Sequence, residues 1–189
     1  MLRRVSRSMR AAMEVIKPAG VIKVKRGQGE EEVTASLVRM MPWCQITSLI
    51  LCDTGWTLGR EGMERLAAVV GQCASLAHLD LYNNSLGAEG ARMLAAVLPQ
   101  CASLAHLNLC YNSLGVEGSG MLAAVLAQCA SLAHLNLRFN SLGAEGVRRL
   151  ATVLLQCASL AHLDLGSNLL RAEGAENLAA VLPQRPLVC

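Results

Sequence analysis

One 28-residue unit is written four times in succession, and nothing else constrains this chain as strongly. Residues 73–100 read CASLAHLDLYNNSLGAEGARMLAAVLPQ and 101–128 read CASLAHLNLCYNSLGVEGSGMLAAVLAQ. Residues 129–156 read CASLAHLNLRFNSLGAEGVRRLATVLLQ and 157–184 read CASLAHLDLGSNLLRAEGAENLAAVLPQ. Self-similarity at a fixed period of this length marks a solenoid, in which each unit buries its apolar face only against its neighbours.

Within each copy the apolar period changes. Leu79 and Leu81 flank Asp80 with the alternation of a half-buried strand, whereas Met93, Leu94, Val97 and Leu98 recur at helical spacing. Each copy therefore reads as a short strand, a turn and a helix of about ten residues. Pro99 and Pro183 stop their helices; Ala127 and Leu155 stand in that place in the other two copies. A degenerate copy precedes them over 46–72, with Ile46, Leu49 and Leu51 on its strand and a longer loop bearing Trp56. Val33, Leu37, Met40 and Met41 lead to Pro42-Trp43-Cys44, so residues 30–45 are expected to form a lone capping helix. The expected array is five strands and six helices, an α/β solenoid spanning 46–184. Strands stack about 4.8 Å apart and helices about 8–10 Å, so the array should curve, with strands on the concave side.

The pattern LxxLxLxxNxL followed by LGxEGxxxLAxxLxxC resembles leucine-rich repeats of the ribonuclease-inhibitor type. Such repeats also occur in the C-terminal arrays of cytosolic nucleotide-binding receptors and in Ran GTPase-activating proteins. The resemblance covers about 46–184 and implies a horseshoe segment; it is poorly specific for function. Its uniform period departs from the two alternating lengths of ribonuclease inhibitor, and no GxxxxGK[ST] segment is present.

Charge is divided unevenly. Residues 1–29 carry eight basic residues against Glu14, a net of +7, while the remainder is −4. The mildly acidic body argues against nucleic acid as its ligand. The basic stretch reads as a disordered tail; the helical spacing of Arg3, Arg7 and Arg10 leaves an organelle transit peptide as the alternative. The uninterrupted apolar runs are too short to span a membrane. At the other end, residues 185–189 form a short tail without a polar cap, which leaves that end open to self-association.

Of the eight cysteines, Cys73, Cys101, Cys129 and Cys157 sit one period apart, without CxxC or HxxxH pairing. They read as a repeated buried position holding free thiols, which points to a reducing, cytoplasmic location. Cys110, in a variable row, is expected to be exposed.

Candidate site residues follow from the strand period. Leucines point inward, so the residues between them form rows on the concave face. His78, His106, His134 and His162 are the first row, and Asp80, Asn108, Asn136 and Asp164 the second. Tyr82, Cys110, Arg138 and Gly166 are the third, with Tyr111 and Phe139 just beyond. Duplication of one tolerated residue explains the histidines without a metal, because zinc ligands approach from several directions and a row offers one. Crowded imidazoles should resist full protonation. The variable residues are more informative: aromatic and Arg side chains anchor interfaces. Tyr82, Tyr111, Arg138 and Phe139 are therefore the expected partner-binding cluster, with the His and Asp/Asn rows beside them. Asn84, Asn112, Asn140 and Asn168, where the chain leaves each strand, are expected to bond turn backbone groups. Glu61, Glu89, Glu117, Glu145 and Glu173 fall in first helical turns, where they complement the helix dipole. No nucleophile triad, phosphate cradle or paired-acid arrangement is visible, so no enzyme and no cofactor are expected. The reading is a protein-interaction scaffold; the alternatives are a GTPase-activating regulator or a sensor-array fragment of a nucleotide-binding receptor.

Overall fold

The computed structural model describes residues 13–16, 20–24, 29–40, 45–52, 54 and 60–180. Six parallel strands alternate with helices. In chain order the elements are β1 (Met13–Ile16), β2 (Val21–Val24), α1 (Glu30–Met40), β3 (Ser48–Ile50), α2 (Arg60–Gln72), β4 (His78–Asp80) and α3 (Gly87–Val97). They continue with β5 (His106–Asn108), α4 (Gly115–Leu126), β6 (His134–Asn136), α5 (Gly143–Leu154), β7 (His162–Asp164) and α6 (Arg171–Ala179). One sheet runs β1 to β7 in sequence order. Only the β1–β2 pair is antiparallel; β2 through β7 pair in parallel.

Register follows the repeat without slippage. Leu79 pairs with Leu107, Leu107 with Leu135 and Leu135 with Leu163, so one leucine per strand enters a continuous core. A slip of one residue would expose the whole leucine column. Leu76, Leu81 and Leu86 join it from the first full copy, and Leu94, Leu122 and Leu150 close it from the helices, all at 5% exposure or less. Each such leucine contributes about 2–3 kcal/mol, so the core needs no aromatic residues.

Small residues set the helix spacing. A Cβ added at Gly118 would lie 3.1 Å from Ala91 Cβ, and one at Gly146 would lie 2.6 Å from Ser119 Oγ. The second glycine of each GxEG motif thus lets neighbouring helices approach. α3 ends at Val97 before a 3-10 turn containing Pro99, whereas α4 and α5, lacking that proline, are one residue longer.

The N-terminal reading needs correction. Two strands lie inside the stretch 1–29 that reads as a disordered tail. Ile22 and Val24, at 1% and 2% exposure, flank exposed Lys23 with the period of a strand, and β2 adds to β3 in parallel. Its one basic residue, Lys23, and the basic residues around it in the sequence hide this alternation from a charge count, while Lys23 projects to solvent and Ile22 and Val24 enter the core. The helix read as a lone cap over 30–45 is likewise not isolated: α1 connects β2 to β3. The sheet has seven strands among the described residues, not five. The Arg3/Arg7/Arg10 face, Pro42-Trp43-Cys44, the Trp56 loop and residues 181–189 lie outside the described residues.

Cys73, Cys101, Cys129 and Cys157 are thiols outside any disulfide and between 2% and 6% exposed. Cys101 Sγ donates to Val70 O at 3.2 Å and Cys157 Sγ to Val153 O at 3.4 Å. Burial pushes the Cys73, Cys101 and Cys129 thiols up to about 11, which keeps them protonated and unreactive. Cys110 is also buried, at 5% exposure, contrary to its expected exposure. Its short side chain sits in a row beside Tyr82 and Arg138, one rung to either side, and burial dominates the rise of its pKa.

Candidate functional site: the strand face

The site begins with the turn that ends each strand. Asn112 is fully buried, and its Oδ1 accepts from Asn84 N at 3.0 Å and from Leu86 N at 3.4 Å. Its Nδ2 donates to Leu81 O at 2.8 Å in the preceding copy and to Leu109 O at 3.0 Å in its own. Asn140 and Asn168 repeat these bonds one period on. At the first copy, Asn84 Oδ1 accepts from Thr54 Oγ1 at 2.6 Å. The asparagines form a buried ladder that ties each copy to the one before it.

That ladder holds the backbone in an unusual conformation. Asn83, Tyr111, Phe139 and Ser167 have φ between 54° and 57°, and Ser85, Ser113, Ser141 and Leu169 follow with φ between 52° and 58°. A left-handed residue costs roughly 1–2 kcal/mol when it carries a Cβ, and the asparagine bonds over-determine the turn. The consequence for the site is direct: Tyr111 and Phe139 sit at the end of β5 and β6 in a backbone that bulky residues seldom adopt.

The aromatic residues meet in one cluster. The Tyr111 and Phe139 rings stack at 4.1 Å and 20°, and Tyr82 meets Tyr111 edge-on at 5.7 Å. Tyr111 remains 43% exposed. Arg138 Cζ lies 5.0 Å from the Phe139 ring centroid, and its Nη1 reaches to 4.0 Å from Asp164 Oδ2. The arm passes over Gly166, where a Cβ would stand 3.1 Å from Arg138 Nη1. Gly166 therefore makes room for Arg138, a pairing within the variable row that neither residue reveals alone.

The histidine row is a stack. His106–His134 and His134–His162 have ring centroids 4.2 Å apart and planes within 12° and 9°, and His78–His106 follows at 5.6 Å. Desolvation, then the neighbouring His106 and His162, lower the His134 pKa below its ordinary value. With the second row, the stack lines a hollow of about 350 Å³ on the strand face. The second row also has local duties. Oδ1 of Asp80, Asn108, Asn136 and Asp164 accepts from the backbone N–H two residues on, at 2.8–3.1 Å. One oxygen of each is thus committed to its own strand exit, which alternation alone does not reveal.

The glutamates lie on the opposite side, in the first helical turns. Glu145 bonds both Arg148 and Arg149, and those two hydrogen bonds lower its carboxyl to about 2. Glu89 pairs with Arg92. A second hollow, about 590 Å³, lies between α4 and α5, lined among others by Glu117, Gly120, Met121 and Arg149. Sequence reasoning passed it over. Its signal was Gly120, which breaks a column otherwise holding Arg92, Arg148 and Glu176.

Among the described residues, no group of three or more His, Cys, Asp or Glu is placed to hold a metal ion. None of the helices there is long and apolar enough to cross a membrane. The family described as "Leucine Rich repeat" matches residues 72–95, 128–151 and 156–179, so the chain carries leucine-rich repeats. No curated protein matches the chain. Among solved structures, it is similar to "Leiomodin-1 Actin-Binding Site 2 (ABS2)", with a TM-score of 0.65 at 16% sequence identity, over 83% of this chain and 89% of that one. At that identity the likeness shows the fold alone.

Proposed function

We propose that this leucine-rich-repeat array is a non-catalytic, intracellular protein-interaction scaffold that grips a partner on its strand face. The observation that carries the reading is the Tyr82–Tyr111–Phe139 stack with Arg138 laid across it. Aromatic and Arg anchors of this kind dominate binding energy at protein interfaces. Here they are displayed on a turn whose left-handed backbone is fixed by buried asparagines, so little ordering cost remains on binding. The histidine stack and the free amide groups of Asn108 and Asn136 lie alongside and offer polar contacts to the same partner. The leiomodin-1 segment that shares this fold is an actin-binding site, which supports a protein as the ligand class.

The test compares two surfaces. Tyr111→Ala with Phe139→Ala should remove about 2 kcal/mol or more of partner affinity, read by capture from cell extract and, as a defined probe, with purified actin. Glu117→Ala with Glu145→Ala, on the helix side, should leave capture unchanged. Both variants are checked for native circular dichroism. Loss of partners in the glutamate variant alone would move the interface to the helices.

A further inference from the structure

Resting on the strand face as the docking surface, the second row narrows which chemical group its centre receives. Register places Asp80, Asn108, Asn136 and Asp164 on four successive strands. Oδ1 of Asn108 accepts from Cys110 N at 3.1 Å, and Oδ1 of Asn136 from Arg138 N at 3.0 Å. Turning either amide over would set its NH2 against a backbone N–H, so the orientation is fixed. What each asparagine has left is its Nδ2 group, which has no partner among the described residues. A side chain that can in general donate or accept thus offers a ligand its donors.

The outer positions are the reverse. Asp80 and Asp164 commit Oδ1 to Tyr82 N at 2.9 Å and to Gly166 N at 2.8 Å, and their other carboxylate oxygens can only accept. Oδ2 of Asp164 already has Arg138 Nη1 at 4.0 Å, whereas Asp80 is paired with no cation among the described residues. Across the sheet the row runs acceptor, donor, donor, acceptor. The imidazole stack beside it adds an N–H from each ring in either tautomer. His106, His134, Asn108 and Asn136 all line the hollow of about 350 Å³. Its centre is therefore rich in donors and flanked by negative charge.

Two amide donors on adjacent strands are best met by a group with two accepting oxygens, and charge-assisted bonds are about twice as strong as neutral ones. Outside the described residues the sequence holds a single acidic residue, Asp53, among several basic ones, so the complementary carboxylate points to a partner. We propose that the centre of the strand face takes an aspartate or glutamate carboxylate of a partner protein, on an extended segment whose second neighbour is basic and pairs with Asp80. The spacing follows from dimensions. The midpoint between the Asn108 and Asn136 strands lies one and a half strand spacings, about 7 Å, from the Asp80 strand. Same-face residues of an extended segment repeat about every 6.8 Å. At the other flank Arg138 stands by Asp164, so no second basic residue is required.

The probes are two pentapeptides, GEAKG and GKAEG, acetylated and amidated at their ends so that both chain directions are sampled. Binding to the full chain is read by NMR titration of the His106 and His134 ring protons. At least one peptide should bind about tenfold more tightly than its counterpart with glutamine in place of glutamate. Asn108→Asp with Asn136→Asp keeps the acceptors for the backbone, as Asp80 and Asp164 do at the same position, so the fold survives while peptide affinity falls at least about tenfold. Asp80→Asn should cost about threefold and remove the advantage of lysine over glutamine in the peptide. Equal binding of the glutamate and glutamine peptides, no binding, undiminished affinity in the doubly substituted chain, or a lysine preference that survives Asp80→Asn overturns the proposal. So does slowed exchange of the Asn108 and Asn136 side-chain amides in the free protein, which would mean that this chain or a second copy already fills the hollow. Partner capture that depends on Tyr111 and Phe139 but not on Asn108 and Asn136 refutes the carboxylate alone; capture indifferent to all four removes the strand-face reading with it.

Discussion

His78, His106, His134 and His162 are as invariant across the four copies as Asn84, Asn112, Asn140 and Asn168, yet the two columns have opposite fates. The histidines stack on an open face, with His106 and His162 exposed. The asparagines are at most 1% exposed, and their side chains bond neighbouring backbone on both sides. Repetition therefore does not separate framework from surface. What separates them is position relative to the end of the strand period. A polar residue inside the alternation points out, and one just after it must satisfy a backbone that has left the sheet.

The sharpest way to break this contrast is Asn112→Ala. It strands the Asn84 and Leu86 N–H groups and should cost about 3 kcal/mol, since each unsatisfied buried group costs about 1–3 kcal/mol. A urea midpoint that falls with unchanged slope checks it. Arg171→Gly comes next. Arg171 has φ 55° where the other copies place Gly87, Gly115 and Gly143, so the variant should stabilise by about 1 kcal/mol after the added chain entropy. His106→Ala should stay within about 0.5 kcal/mol, as exposed substitutions do. If His106→Ala proves costlier than Asn112→Ala, the strand register is wrong.

The smallest effect is on pH. Desolvation and its two neighbours depress the folded pKa of His134 below its unfolded value. Between the two, the unfolded chain binds more protons, so stability rises with pH there and is lost as pH falls below about 6.5. Comparing urea midpoints at pH 5.5 and 7.5, His134→Asn should flatten that dependence. An unchanged dependence would mean the stack does not disfavour protonation.

The fold was largely legible because its information is local and repeated. The 2-to-3.6 change of period identified strands and helices in every full copy, and the asparagine after each strand carried its own reason. β2 was missed because four residues, Val21–Val24, are too few to show alternation among lysines and arginines. Its pairing to β3 depends on a strand some two dozen residues away. Cys110 was misplaced because exposure depends on the size of side chains on adjacent rungs. The rows of the site were read from the strand period, but their contacts were not: Gly166 under Arg138 couples two copies.

From the sequence alone came the period, the α/β solenoid, the leucine core and the buried thiol column, because each is repeated within one 28-residue unit and needs no distant partner. The tertiary structure decided what depends on neighbours in space. It set the ring stacks, the two strands β1 and β2 that precede the array, and the placing of Gly166 under Arg138. A repeat specifies what its copies share; stacking decides which donors find acceptors and which side chains meet.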